Sequence, residues 1–164
     1  GTLLALFAGI YYWFPKVTGR KLSDSLGRIH FFGTFVGMNG VFMPMFIQGL
    51  AGVSRRLYDG GTTYLHAQPV LQWNEFMTIS AILLGLFQIV FIVNLFVSIR
   101  GGKKVSGNPW EATTLEWAAS PSPPIEHGNF PSEPEVHHPP YEYNVPVNGR
   151  VEEFVPQNKV LKVE

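Results

Sequence analysis

The chain of 164 residues has a formal net charge of zero, which gives no indication of nucleic-acid binding. It contains no cysteine, and this excludes disulfides, thiolate metal sites and cysteine nucleophiles. The mean hydropathy of +0.11 conceals a strong division of the chain. Residues 1–100 are apolar apart from two polar links, and we predict a transmembrane helical region there. Residues 101–164 carry most of the prolines and most of the acids.

The first apolar segment, residues 2–14, is followed by Pro15, which predicts that the helix ends there because proline lacks a helical N–H donor. A helix of 13 residues is about 20 Å long, whereas the hydrocarbon core of a bilayer is about 30 Å thick. The segment is too short to cross a membrane. We therefore expect the chain to begin inside a helix and to be the C-terminal part of a longer protein.

Two further segments are long enough to cross. Residues 29–52 contain no acid, lysine or arginine, and residues 76–99 carry no formal charge. About 20 such residues span a bilayer as a helix, and apolarity on all sides fits lipid better than a soluble core. We predict helices over about 29–52 and 74–100, and the fold class is an all-α membrane protein.

The second segment carries Gly33 and Gly37, a spacing of small residues that lets two helices approach closely. Each side-chain amide in hydrocarbon needs a hydrogen-bond partner, so these residues are predicted to face protein or a cofactor. Hydrogen bonds between helices account for them without further function. The amides are Asn39, Gln48, Gln88 and Asn94.

The positive-inside rule gives an orientation for the predicted helices. The link after the first segment is rich in lysine and arginine, and so is the stretch that follows the third segment. Both are therefore predicted to be cytoplasmic. The link 53–75 contains only Arg55 and Arg56 as basic residues, and it is predicted to lie on the outer side.

The tail, residues 101–164, is predicted to be cytoplasmic and extended, because its prolines prevent long helices. Its aromatic residues are too numerous for a simple solvated linker and indicate a strap that packs on a partner surface. A disordered tail is the alternative. The aromatic residues are Trp110, Trp117, Phe130, Tyr141 and Tyr143.

Arg55 and Arg56 stand where the second helix leaves the lipid. Desolvating a guanidinium near lipid is costly unless an anion meets it. Lipid phosphates could supply that anion. A buried cofactor carboxylate would serve better, because the planar fork of arginine binds it in bidentate fashion. The residues alone leave both readings open.

The ordered series WFP, TGR, IHF, GLAG and RR resembles the end of subunit I of the haem–copper cytochrome c oxidases. The tail, with NPW, ATTLEW and PSPP, is similar to the tails of bacterial aa3- and caa3-type subunits. The resemblance implies that the chain comprises the end of the tenth helix and all of the eleventh and twelfth helices of a twelve-helix bundle. Residues 147–164 have no counterpart in it.

The resemblance also implies a reaction, the reduction of dioxygen to water with electrons from cytochrome c, coupled to proton translocation. The complete subunit would hold two haems, of haem A type, and a copper ion. Their ligands would lie upstream of this chain, so no catalytic residue is predicted here, and the histidines of the chain indicate no metal site.

Arg55 and Arg56, carried over from the family, become residues that bind haem propionates. Asp59 could help to bind a structural cation, as in some members, with solvent exposure as the alternative. Five apolar residues could line a haem face, although core packing is the more frequent role of such residues. They are Leu3, Phe7, Ile10, Phe42 and Met45.

The implied partners are the remainder of subunit I, oxidase subunits II and III, cytochrome c and membrane lipid, in a bacterial inner membrane. Two alternatives stay open. One is a quinol oxidase of the same superfamily. The other is a non-redox membrane scaffold or transporter fragment whose amides line a polar path.

Overall fold

The computed structural model describes residues 1–124, 130, 132–147 and 150–160. It forms two compact units, which we describe separately: unit 1 is Gly1–Leu22 with Val97–Glu164, and unit 2 is Ser23–Phe96. The elements in chain order are α1 (Thr2–Thr18), α2 (Asp24–Leu50), a short 3-10 helix (Leu65–Val70), α3 (Trp73–Gly101), α4 (Leu115–Ala118), β1 (Tyr143–Val147) and β2 (Arg150–Phe154).

Helices α2 and α3, of 27 and 29 residues, are long and apolar enough to cross a membrane. Their outward surfaces are apolar: Phe46 is 72% exposed and Ile82 is 60% exposed. Such surfaces need lipid or other protein around them. The predicted all-α membrane fold is confirmed for this part of the chain.

The observed bounds of α1 and α2 differ from the bounds predicted from the sequence. The prediction that Pro15 ends the first helix is wrong, because α1 continues through Pro15 to Thr18. The helix ends instead at Gly19, whose φ of 65° is left-handed and whose N–H donates to the carbonyl of Pro15 at 2.8 Å. Helix α2 also begins earlier than predicted, at Asp24.

Helices α2 and α3 pack against each other through glycines within unit 2. The contacts run in opposite directions along the two helices, so the helices are antiparallel. A Cβ atom on Gly37 would lie 3.2 Å from Cα of Leu84. The close approach that the glycine spacing predicted is therefore present. The facing pairs are Gly33–Phe87, Gly37–Leu84 and Gly40–Ser80.

A polar cluster lies between the same two helices. Gln88 donates from Nε2 to Oγ1 of Thr34 at 3.0 Å, and its Oε1 is hydrogen-bonded to Nε2 of His30 at 3.2 Å. His30 is only 2% exposed, and its ring lies against Phe91. This amide therefore serves an interhelical hydrogen-bond network.

The other predicted amides also have partners. Asn94 is fully buried and forms two bonds with the backbone of Ser23, accepting its N–H at 2.9 Å and donating to its carbonyl at 3.1 Å. Asn39 donates to the carbonyl of Phe35 on its own helix at 2.8 Å. Such bonds satisfy groups that lipid cannot.

In unit 1 the tail packs on the end of α1. The indole Nε1 of Trp110 donates to the carbonyl of Tyr12 at 2.9 Å, and the two rings stack with centroids 6.0 Å apart. Lys16 donates from Nζ to the carbonyl of Ser120 at 2.8 Å and also to that of Glu116. Trp110 thus packs on a surface within the same chain, and Trp117 is buried as well, whereas Tyr141 is 73% exposed.

The tail is less extended than predicted, because it contains α4 and an antiparallel hairpin of β1 and β2. Gln157 connects these parts. It accepts the N–H of Leu115, the first residue of α4, at its Oε1 with a distance of 2.9 Å, and its own N–H donates to the carbonyl of Thr113 at 2.9 Å. Val155 is fully buried. Val155 and Gln157, which lie in the stretch 147–164 that the sequence resemblance did not reach, therefore contribute to the packing of the tail.

Candidate cofactor-binding site

Arg55 and Arg56 lie on the link that follows α2, a few residues after the helix ends at Leu50. Both side chains are exposed. Among the residues that the structure describes, neither guanidinium has a hydrogen bond or an ion pair. Two adjacent cations without an internal counter-ion are therefore available to an external anion.

The backbone at Arg56 adopts a conformation that is uncommon for a residue with a side chain. Its φ of 62° is left-handed, and Arg56 is one of the few non-glycine residues with this geometry among those described. Such a conformation costs about 1–3 kcal/mol and persists only when the surrounding structure holds it. The backbone of the link at Arg56 therefore forms a defined turn that its surroundings hold in place.

Gln48 holds the two ends of this link together. Its side chain is 8% exposed and lies in the last turns of α2. Nε2 donates to the carbonyl of Val70 at 3.1 Å and to Oδ1 of Asn74 at 2.8 Å. The carbonyl of Gln48 also accepts the N–H of Val53 at 3.0 Å. One residue thus ties the start and the end of the link to the same helix.

A small apolar contact closes the link behind the arginines. Gly61 is buried with a φ of 97°, and a Cβ atom there would lie 3.3 Å from Leu71, 3.6 Å from Leu57 and 3.7 Å from Val53. Only glycine combines this left-handed conformation with so little space. The arginines therefore project from a link that is packed on its inner side.

Asp59 organises the next turn through its carboxylate. Oδ1 accepts the N–H of Gly61 at 3.0 Å. Oδ2 accepts the N–H of Thr63 at 2.7 Å and the hydroxyl of Thr62 at 3.1 Å, and it also accepts the hydroxyl of Thr63. These hydrogen bonds hold the pKa of Asp59 well below its usual range, and the bond from the Thr63 hydroxyl contributes most.

The lowered pKa gives a pH dependence with a definite sign. A carboxyl whose folded-state pKa is depressed stabilises the turn fully above its ordinary pKa of about 3.9, and this contribution is lost as the pH falls through the lowered value.

We expect Asp59→Asn to abolish protection of the Thr63 amide at neutral pH, because an amide nitrogen cannot accept its N–H. The Gly61 amide keeps its acceptor. Hydrogen exchange measures both, and Glu75→Gln is the control, with unchanged exchange at Thr63.

The structure places the other predicted site residues on helices. Leu3, Phe7 and Ile10 share one face of α1 by their spacing, and Leu3 is 57% exposed. Phe42 and Met45 lie on α2 and are 54% and 46% exposed. Haem contact by these five residues stays a prediction. So does cation binding by Asp59; in the described part of the chain no group of three His, Cys, Asp or Glu residues could hold a metal ion.

Sequence reasoning missed the roles of Gln48 and Asp59 in building the site. For Asp59 a signal was present, because the run Asp-Gly-Gly-Thr-Thr favours a turn in which the aspartate accepts backbone N–H groups two and four residues on. For Gln48 no local signal existed, since its partners Val70 and Asn74 follow more than twenty residues later.

Two long apolar helices, joined by a link that presents two adjacent exposed arginines, define a membrane-embedded helical protein. The family model described as cytochrome C and quinol oxidase polypeptide I matches residues 1–86 of this sequence. The chain belongs to that family.

Named relatives extend the similarity into the tail. The alternative cytochrome c oxidase subunit 1 of Bradyrhizobium diazoefficiens is 42% identical over 158 residues, which cover 96% of this chain and 26% of the relative. Cytochrome c oxidase subunit 1 of Synechocystis is 45% identical over 147 residues, 88% of this chain and 25% of the relative. The protein of that name in Corynebacterium diphtheriae is 43% identical over 139 residues, 83% and 24% respectively. The chain thus spans about a quarter of the length of these relatives.

Proposed function

We propose that the chain is part of the catalytic subunit of a haem–copper terminal oxidase, which reduces dioxygen to water with electrons from cytochrome c and translocates protons. Membership of the family and the names of the relatives support this proposal. The observation that carries the role of this chain is the adjacent pair Arg55 and Arg56, exposed and without a counter-ion among the described residues.

The arginine pair fits the carboxylates of a haem. A guanidinium is always charged and presents its N–H donors in a planar fork, which matches a carboxylate with two parallel hydrogen bonds. Two adjacent forks offer one for each of two propionates. Haem, when bound, supplies the one-electron redox chemistry. Arg55 and Arg56 would hold its propionates and place two positive charges beside it.

The other residues of the link would hold the two arginines in a fixed place for this binding. Gln48 fixes the link at both ends, and the carboxylate of Asp59 is taken up by N–H and hydroxyl donors of its own turn. A carboxylate occupied in this way competes less with the propionates for the arginines. The guanidiniums are therefore left for an external anion rather than neutralised within the link.

The proposal includes the assembly around the chain. The remainder of subunit I would supply the haem and copper ligands, and subunits II and III and cytochrome c would be its protein partners. The complete subunit would hold two haems, of haem A type, and copper, in a bacterial inner membrane. The link 53–75 would face the outer side and the tail the cytoplasm.

A spectrum and an electron-donor assay of the purified complex test the proposal. We expect the bands of two haems and rapid oxygen consumption with reduced cytochrome c. Oxygen consumption with a quinol alone would assign the second branch that the family description names. A purified complex without haem bands would contradict the proposal and favour the non-redox transporter or scaffold.

A further inference from the structure

The short 3-10 helix, Leu65–Val70, is held within unit 2 on its inner side and at its end. Ala67 is fully buried, and its N–H donates to the carbonyl of Tyr64 at 3.0 Å. Nε2 of Gln48, from the last turns of α2, donates to the carbonyl of Val70 at 3.1 Å. The 3-10 helix is therefore a fixed support for the side chains that project from it.

Two side chains of the 3-10 helix bind the part of the link that carries the arginine pair. Nε2 of His66 donates to the carbonyl of Gly52 at 3.3 Å, and Nε2 of Gln68 donates to the carbonyl of Thr62 at 2.5 Å. The imidazole carries its proton on Nε2 in this bond, since a carbonyl can only accept. The two bonded carbonyls lie on either side of residues 53–61. His66 and Gln68 are called the clamp residues below.

The backbone between the two bonded carbonyls needs a restraint from outside. Arg56 lies there with a φ of 62°, and Gly60 and Gly61 have φ values of 66° and 97°. Glycine adopts such left-handed angles freely, whereas a residue with a side chain keeps them only where the surrounding structure determines them. The glycines therefore permit the turn but do not hold Arg56 in it. The hydrogen bonds of the clamp residues supply a restraint at both ends of the segment.

We propose that His66 and Gln68 are positioning residues that hold Arg55 and Arg56 in the geometry that binds haem propionates. The inference rests on the proposed function and extends it to residues that touch neither the arginines nor the haem carboxylates. A bidentate bond depends on the orientation of the planar fork, and a binding group must be held within about 0.5 Å of its productive place. Without the clamp, Arg56 is free to leave its left-handed conformation, and its side chain then points in another direction.

The haem midpoint potential of the complete, purified oxidase tests the positioning role. His66→Phe keeps a ring without an N–H donor, and Gln68→Met keeps the length of the side chain without one. Each change should lower the potential in the same direction as Arg55→Gln but by less, and the double variant should lower it more than either single change. His66→Gln again offers an N–H donor and should restore most of the potential. Spectroelectrochemical titration measures all four.

Hydrogen exchange of the link tests the clamp independently of haem. The N–H groups of Val53 and Thr63 belong to the same peptide units as the carbonyls that His66 and Gln68 bind. Loss of one hydrogen bond should therefore speed exchange about 2- to 12-fold, at Val53 in His66→Phe and at Thr63 in Gln68→Met.

The matched control is Gln72→Met, which makes the same chemical change as Gln68→Met. Nε2 of Gln72 donates only to the carbonyl of Pro69, at 3.5 Å, within the later part of the link. This variant should leave the potential unchanged, and exchange at Val53 and Thr63 should also stay as it was.

The other outcomes would overturn the inference. An unchanged potential in the double variant, with a shifted potential in Arg55→Gln, would show that the clamp residues do not position the arginines. Equal shifts in Gln68→Met and Gln72→Met would attribute the effect to loosening of the link in general. An unchanged potential in Arg55→Gln would instead reject propionate binding itself, and exchange at Val53 and Thr63 would then show separately whether the clamp exists.

Discussion

Replacement of Arg55 by glutamine should lower the midpoint potential of the haem that we propose it binds by about 40–90 mV in the complete oxidase. A cation stabilises the electron-rich form of a redox centre. At a distance of about 10 Å and an effective dielectric constant near 20, one charge contributes roughly 1–2 kcal/mol, which corresponds to that range for one electron. The same change at Arg56 should act in the same direction, and both losses should weaken proton translocation. Spectroelectrochemical titration measures the potential.

Two further variants separate charge from shape and position. Arg55→Lys keeps the charge but not the planar fork, so most of the potential should be retained while haem is held less tightly. Arg28→Gln removes an equal charge near the opposite end of α2, about 33 Å from the end of that helix at about 1.5 Å per residue, and it should leave the potential unchanged. A midpoint in Arg55→Gln equal to that of Arg28→Gln would contradict propionate binding.

The long helices could be predicted from the sequence because lipid imposes a single demand over more than twenty residues. A chain that crosses hydrocarbon must bond its backbone internally and expose apolar side chains all round. For α3, Trp73–Gly101, this demand placed the ends within about one residue. For α1 the prediction depended on Pro15 alone, and a helix tolerates one proline when its other bonds and the left-handed Gly19 complete the end.

The polar parts of the site were less predictable, because their partners are distant in the sequence. The arginine pair can be recognised directly in the sequence. No neighbouring residue indicates that the side chain of Gln48 forms hydrogen bonds with Val70 and Asn74. The same holds for Gln157, whose amide oxygen meets the first N–H of α4 more than forty residues earlier. Composition predicted an extended tail, whereas tertiary hydrogen bonds produced a short helix and a hairpin.

Replacement of Gly33 by leucine should have the largest effect on assembly of any substitution considered. Even a Cβ atom at this position would overlap the ring of Phe87. At Gly37 the nearest atoms are Cβ of Leu84 at 3.0 Å and its Cα at 3.2 Å, and a backbone atom cannot rotate away. Overpacking of this kind costs about 1–3 kcal/mol, and a leucine must push the two helices apart.

The expected results follow in order of size. Gly33→Leu should give little assembled complex, measured as haem absorbance per amount of membrane protein if the oxidase proposal holds, or as recovered complex in any case. Gly37→Ala should assemble and lose about 1–3 kcal/mol of stability, seen as a lower thermal midpoint.

The matched control is Gly85→Ala on the opposite helix, where an added Cβ would meet nothing within 4 Å. Alanine there should be neutral or stabilise the helix by about 0.5–1 kcal/mol, because glycine loses more conformational freedom in a helix. Equal stability losses for Gly37→Ala and Gly85→Ala would show that helix propensity, rather than the close contact of α2 with α3, sets the stability. A loss confined to Gly33 and Gly37 requires that these two helices touch through their glycines.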